Sequence, residues 1–190
     1  FQGRSLAALP EDLAKAIEES GHASLLLQVR QKIKSAVSKA LAKLIDPATD
    51  AAERLALVQV FGEVEIPAAI DALLTWMDTS PDAPRDAIIS TVRAAAGTFL
   101  DDRMQTPGGL IPFSPQPSDQ RFDTYNAAAY LAGELQRFSW YVDDPALVAK
   151  LRTLADRTVL ALVNDHLTSS DGHWYWHYSA EEQTANDLAH

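Results

Sequence analysis

Residues 54–74 read RLALVQVFGEVEIPAAIDALL. Leu55, Val58 and Phe61 recur every third position, a spacing that gathers side chains on one face of an α-helix. Asp50 and Glu53 stand ahead of them at capping-box spacing, and Gly62 near the end supplies a stop. Pro67 then opens a second helix through Ile70, Leu73, Leu74 and Met77, because proline at the first helical position forfeits no hydrogen bond. Two amphipathic helices joined so tightly fold back on each other. The stretch therefore predicts an antiparallel helix hairpin, and the same pattern repeated along the chain predicts an all-α protein of about eight helices.

Nearer the start of the chain, Pro10 followed by Glu11 and Asp12 is a first-turn pattern, with the acids facing the positive end of the dipole, and Gly21 ends that helix. From Ser24 to Ile45 the residues Leu26, Val29, Ile33, Val37, Leu41 and Leu44 recur at spacings of three and four, which predicts one long amphipathic helix. Its lysines, from Lys32 to Lys43, form a solvated face. Pro84 opens another helix through Ile88, Val92 and Phe99 to about Met104.

An internal echo links these segments. An offset of 32 residues sets Ala40-Leu41 on Ala72-Leu73, Leu44-Ile45-Asp46 on Trp76-Met77-Asp78, Asp50 on Asp82, Leu57 on Ile89 and Val60 on Val92. Stacked helical repeats show such periods, since one hairpin must hand its second apolar face to the next. In this period and in the phrase at 54–74, residues 36–96 resemble HEAT-like repeats. The resemblance covers about a third of the chain and implies an α-α superhelix whose concave surface engages a partner.

Residues 105–120, QTPGGLIPFSPQPSDQ, hold four prolines and two glycines and cannot propagate a helix. They divide a helical part at 4–104 from a hairpin region at 121–190. Gly108-Gly109 is not a phosphate loop, for no helix with a lysine follows it. Asp123 is placed to cap a helix through Tyr125, Tyr130, Leu131, Leu135 and Phe138 to Trp140. Asp144-Pro145 caps the next, which carries Leu147, Leu151, Leu154, Leu160 and Leu162 and ends near Leu167, with His166 favoured at its C-terminus by the dipole. A turn at Ser169-Ser170-Asp171-Gly172 leads into His173-Trp174-Tyr175-Trp176-His177-Tyr178, and Glu181 begins a last helix cut off at His190.

The aromatic run holds the candidate chemistry. In an extended conformation His173, Tyr175 and His177 face one way and Trp174, Trp176 and Tyr178 the other. One reading is a packing plug, with both tryptophans filling the gap between hairpins. A second is a ring-bearing ligand stacked on an aromatic face, with His177 and a partner from Asn186, Asp187 and His190, which share a helix face, supplying polar contacts or proton transfer. A third is a metal on His173, His177, Asp187 and His190, though HWYWH lacks the glutamate pair of a zinc-protease helix; no metal and no cofactor is expected. Glu181-Glu182 and His22 have ordinary explanations as first-turn acids and a solvated cap residue.

The stretch RFDTYNAAAYLAGELQRF, its following helix and DGHWYWHYSAEEQTANDLAH together resemble one hairpin and connecting loop of an (α/α)-toroid, the fold shared by several polysaccharide lyases, uronyl epimerases and glycoside hydrolases. The resemblance implies a substrate cleft lined by Tyr125, Asn126, Trp174, Tyr175, His177, Asn186, Asp187 and His190, with His177 or His190 and Tyr175 handling protons. A full toroid needs about a dozen helices, more than this chain offers.

Bulk properties bound the function. A net charge of -10 over 190 residues disfavours nucleic acid or an anionic membrane as partner. The acid is concentrated beyond residue 46, where nine Lys/Arg face twenty-one Asp/Glu, against seven and five before it. No apolar run of membrane-spanning length occurs, and there is no cysteine for disulfides or thiolate chemistry, so cytoplasm and periplasm stay equally open. Phe1-Gln2-Gly3 resemble the end of a tag-release protease site, in which case the native N-terminus is absent. The expectation is a non-enzymatic helical scaffold or binding module engaging a protein or an oligosaccharide; the alternative is a trimmed carbohydrate-active enzyme of toroid type.

Overall fold

A computed structural model describes residues 24–101, 104–112, 120, 123–177 and 185–186. Seven α-helices carry the described part: α1 (Leu25–Arg30), α2 (Lys34–Ile45), α3 (Ala51–Val64), α4 (Ala69–Thr79), α5 (Arg85–Gly97), α6 (Tyr125–Phe138) and α7 (Pro145–Asn164). Three short strands follow, β1 (Leu167–Thr168), β2 (Trp174–His177) and β3 (Ala185–Asn186). The protein is all-α with a small antiparallel sheet appended. The helix expected over 10–20 lies outside the described residues. The chain divides into two units, with the division between Ala95 and Ala96.

In the first unit, the single long helix expected over 24–45 is two helices. The backbone of Lys32 turns left-handed at φ 56. Its N–H donates to Val29 O at 2.8 Å and the Ile33 N–H reaches back to Gln28 O at 3.2 Å, the paired bonds of a Schellman stop. Restarting the helix one turn later rotates the apolar stripe. Ala36, Ala40 and Leu44 are buried on α2, while Val37 and Leu41, expected in the stripe, are only half-buried.

α3 begins as its sequence requires, with Asp50 Oδ1 accepting from the Ala52 and Glu53 N–H groups at 2.9 and 3.2 Å. Gly62 does not stop it. The helix runs to Val64 and Glu65 takes the left-handed position after it. Gly62 is instead a point of close approach: a Cβ there would lie 3.0 Å from Thr91 Oγ1, and that hydroxyl donates to Val58 O at 3.2 Å. α4 starts two residues beyond Pro67, whose carbonyl accepts from Ile70 N–H at 3.0 Å.

α1 packs on α2 and α3, and α2 on α3 and α4, so helices two apart in sequence lie side by side. Leu44, Leu57, Phe61, Ile70, Leu73, Ile88 and Val92 are fully buried between them. The helix boundaries repeat at 34 residues rather than at the 32 of the sequence echo, since α2 ends at Ile45 and α4 at Thr79 while α3 starts at Ala51 and α5 at Arg85. Ile89, the counterpart of buried Leu57 at offset 32, is accordingly only half-buried beside fully buried Ile88. Arg54 lies over the Trp76 ring, 4.6 Å from its centroid, joining α3 to α4.

α5 ends at Gly97, well short of Met104. In the second unit α6 and α7 pack as a hairpin, burying Ala128, Leu131, Leu135 and Phe138 against Leu151, Leu154 and Leu162. Asp144 caps α7 as expected, accepting from Ala146 and Leu147 N–H at 3.0 and 3.2 Å. Asp123 does not cap α6; Thr124 holds that position and makes no side-chain cap bond. The Asp123 carboxylate is buried on the Pro/Gly-rich loop, where both its oxygens accept from Gly108 N–H at 3.0 and 3.2 Å. A Cβ at Gly108 would meet that carboxylate at 2.9 Å, so the contact requires glycine. Thr106 closes the same loop by accepting from Leu110 N–H at 3.0 Å, which sinks Leu110 and Ile111 into the core.

Candidate functional site

α7 stops at Asn164, because the chain must leave the helix for Leu167 and Thr168 to pair with Tyr175 and Trp174. The turn expected at 169–172 joins them. Ser169 N–H donates to His173 O at 2.9 Å, His173 N–H returns to Ser169 Oγ at 3.0 Å, and the Ser169 hydroxyl donates to the Asp171 carboxylate. That last bond is the main reason the Asp171 carboxyl lies below its ordinary pKa; backbone N–H groups add to it and slight desolvation opposes. His173 Nε2 stands 3.7 Å from Asp171 Oδ2 on an exposed rim.

β2 is extended, so its side chains alternate between faces. Tyr175 and His177 share one face, their rings edge-on with centroids 6.1 Å apart. Trp174 and Trp176 belong to the other. Trp176 is anchored: its ring packs on the cluster of Leu110, Tyr125, Ala128 and Leu162, and its Nε1–H donates to Leu162 O at 2.7 Å. Trp174 stays 55% exposed, and one face of its indole lies on the His166 ring at 3.9 Å between centroids and 30° between planes. His166 is itself held by a short contact of Nδ1 with Val163 O. Among the described residues no other ring lies on the indole. Trp176 is thus packed as a plug, whereas Trp174 is stacked on His166 and largely exposed.

The other candidates are distributed as follows. Tyr125 is buried in the cluster beneath Trp176 and its hydroxyl donates to Asp165 Oδ2 at 3.4 Å. Asn126 is exposed, with Oδ1 on the N–H of Ala127 at 2.8 Å. Nδ1 of half-buried His177 has no hydrogen-bond partner among the described residues. Residues 185–186 do not continue a helix from Glu181. They form β3, with Asn186 opposite Trp176 and Ala185 opposite His177. The helix face shared by Asn186, Asp187 and His190 is therefore overturned at its first member; Asp187, His190, Tyr178 and Glu181-Glu182 lie outside the described residues. The physical reason is the unpaired edge of β2, whose backbone groups take a strand rather than a helix as neighbour.

Sequence reasoning missed the contact of His166 with Trp174, assigning His166 to the helix dipole, and missed Asp165 as the partner of Tyr125. The only available signal was proximity: both stand within a few residues of the turn that folds the aromatic run back on α7. Among the described residues no group of three or more His, Asp or Glu gathers in metal-ligand geometry. No family model, no curated protein and no solved structure matches the chain.

Proposed function

We propose that this chain is a non-enzymatic binding module whose second unit holds a glycan against Trp174. A single observation carries the reading. The exposed stacking ring, Trp174, and the two residues that the sequence offered for proton transfer, Tyr175 and His177, lie on opposite faces of β2. A lyase or epimerase needs both around one sugar ring, since the transferring group must come within hydrogen-bond reach of the proton it moves. A binding site needs only the platform and a polar rim. Trp174 is backed by His166, which fixes the ring plane in advance, and pre-set rings cost less ordering on binding. Exposed His173 and Asp171 at the turn supply polar partners for hydroxyl groups. The side-by-side packing of α1 with α3 and α2 with α4 supports the repeat-scaffold reading of the first unit.

The experiment is an intrinsic-fluorescence titration with neutral and uronic-acid oligosaccharides, comparing the parent with Trp174→Ala and His166→Ala. A saturable response, weakened about tenfold or more in both variants with helicity retained, is expected, tenfold being about 1.4 kcal/mol. Absence of any response to the panel would sink the glycan reading. A protein ligand is the second reading, favoured by the exposed Val159, Leu160 and Val163 on α7, which form an apolar strip uncovered by the described residues. It predicts that Leu160→Glu abolishes a pull-down that Trp174→Ala leaves intact.

A further inference from the structure

A cleft of about 240 Å³ opens in the second unit between the turn after α5 and the outer side of α7. It is separate from the aromatic hairpin and is not used by the reading above. Buried Phe99 and Leu154 make its floor. Lys150, Thr153 and Arg157 follow one another at helical spacings of three and four, so they rise along one wall. Asp101, on the opposite lip, has a partner of its own.

Two features mark this wall in an acidic chain. Lys150 and Arg157 form no ion pair among the described residues. The Nε of Arg157 is moreover shut away from solvent with no acceptor among them. Arg157 nonetheless lines the cleft, where the charge of its guanidinium favours an incoming anionic oxygen. The planar guanidinium fork suits a carboxylate, the ammonium of Lys150 adds charge, and the Thr153 hydroxyl can donate. The floor beyond them is formed by the apolar Phe99 and Leu154.

We propose that this cleft binds a small carboxylate carrying one apolar ring, with the carboxylate on Arg157 and Lys150 and the ring on Phe99 and Leu154. The volume admits one ring and little more, which sets the ligand below the size of ordinary drug-like compounds. Trp174 does not line this cleft, so loss of glycan binding in Trp174→Ala leaves the site untouched.

The test is a titration of the full chain, followed by backbone amide NMR, with benzoate as probe and benzamide as its uncharged counterpart. Benzoate is expected to shift the amides of Leu100, Lys150, Thr153 and Arg157 saturably, with a dissociation constant on the order of 1 mM. Benzamide should bind at least tenfold more weakly. Arg157→Gln should weaken benzoate about tenfold and Lys150→Gln severalfold. Should Arg157→Gln unfold, Arg157→Lys keeps the charge and loses the fork, and still predicts weaker binding. Equal responses to benzoate and benzamide, shifts gathered at Trp174 instead of α7, or no saturation would each overturn the proposal.

Discussion

Lys32 occupies a backbone conformation that suits glycine, at the one position where the sequence offers no warning of a helix end. The left-handed region crowds Cβ against the following carbonyl and costs a residue with a side chain about 1 kcal/mol. Lys32→Gly should therefore raise stability by on the order of 0.5–1 kcal/mol in urea unfolding, after allowance for the freer unfolded chain. An unchanged or lowered midpoint would mean that the α1–α2 break is not held at this residue. Thr158 makes a parallel case in the second unit. It is fully buried and its Oγ1 has no hydrogen-bond partner among the described residues. Thr158→Val keeps the shape and removes the stranded hydroxyl, and an increase of about 1 kcal/mol is expected by thermal or chemical unfolding. A loss of that size would show that the hydroxyl has a partner in solution. These two sites also mark what a one-dimensional reading misses. Nothing in QVRQKIKS breaks a helix by composition, because the Schellman bonds that stop α1 are made by backbone groups. Asp50 and Asp144 were legible as caps because capping depends only on residues two or three apart, whereas Asp123 serves Gly108, fifteen residues away.

Among elements, the contact of α1 with α3 carries an ion pair at its surface. Arg30 Nε and Nη2 donate to the two Glu63 oxygens at 2.6 and 3.2 Å. The hydrogen bond to Arg30 is the main cause holding Glu63 below its ordinary pKa, and Arg30 is raised by the same bond. A lowered folded-state pKa means that the carboxylate's contribution is present above the unfolded value and lost as pH falls through the folded one. The pair is largely exposed, so Glu63→Gln should cost no more than about 1 kcal/mol at neutral pH and low salt. The difference from the parent should shrink as the pH falls through the folded-state pKa of Glu63; a gap that stays constant to low pH would assign the effect to packing. At the hairpin, Trp176→Phe keeps the plug and deletes the bond to Leu162 O. It should lower stability by about 1 kcal/mol. Faster amide exchange in β2 should accompany it; unaltered exchange would mean that the indole N–H does not tie the hairpin to α7. The hairpin itself was half legible. Period-two alternation placed Tyr175 with His177 correctly, but the strand partner at 185–186 was read as helix, since the polar stretch around it suits both states and only the β2 edge decides.

For the whole molecule, the helical class followed from apolar periodicity that recurs through most of the chain, and the charge of -10 narrowed the partners. No helix among the described residues is long and apolar enough to cross a membrane. The proposed site was less legible, because His166 and Trp174 come together only when a turn reverses the chain between them. Under the proposed function Trp174 stands on the face of β2 opposite Tyr175 and His177, so that a glycan held on Trp174 is bound without those two residues. The most direct measurement is a side-by-side oligosaccharide titration of Trp174→Ala and His177→Ala, each checked for retained helicity by circular dichroism. Trp174→Ala is expected to lose the saturable response while His177→Ala keeps the parent's affinity within about twofold, or about 0.4 kcal/mol. Equal loss in both variants would place His177 in the same site as Trp174 and contradict that expectation.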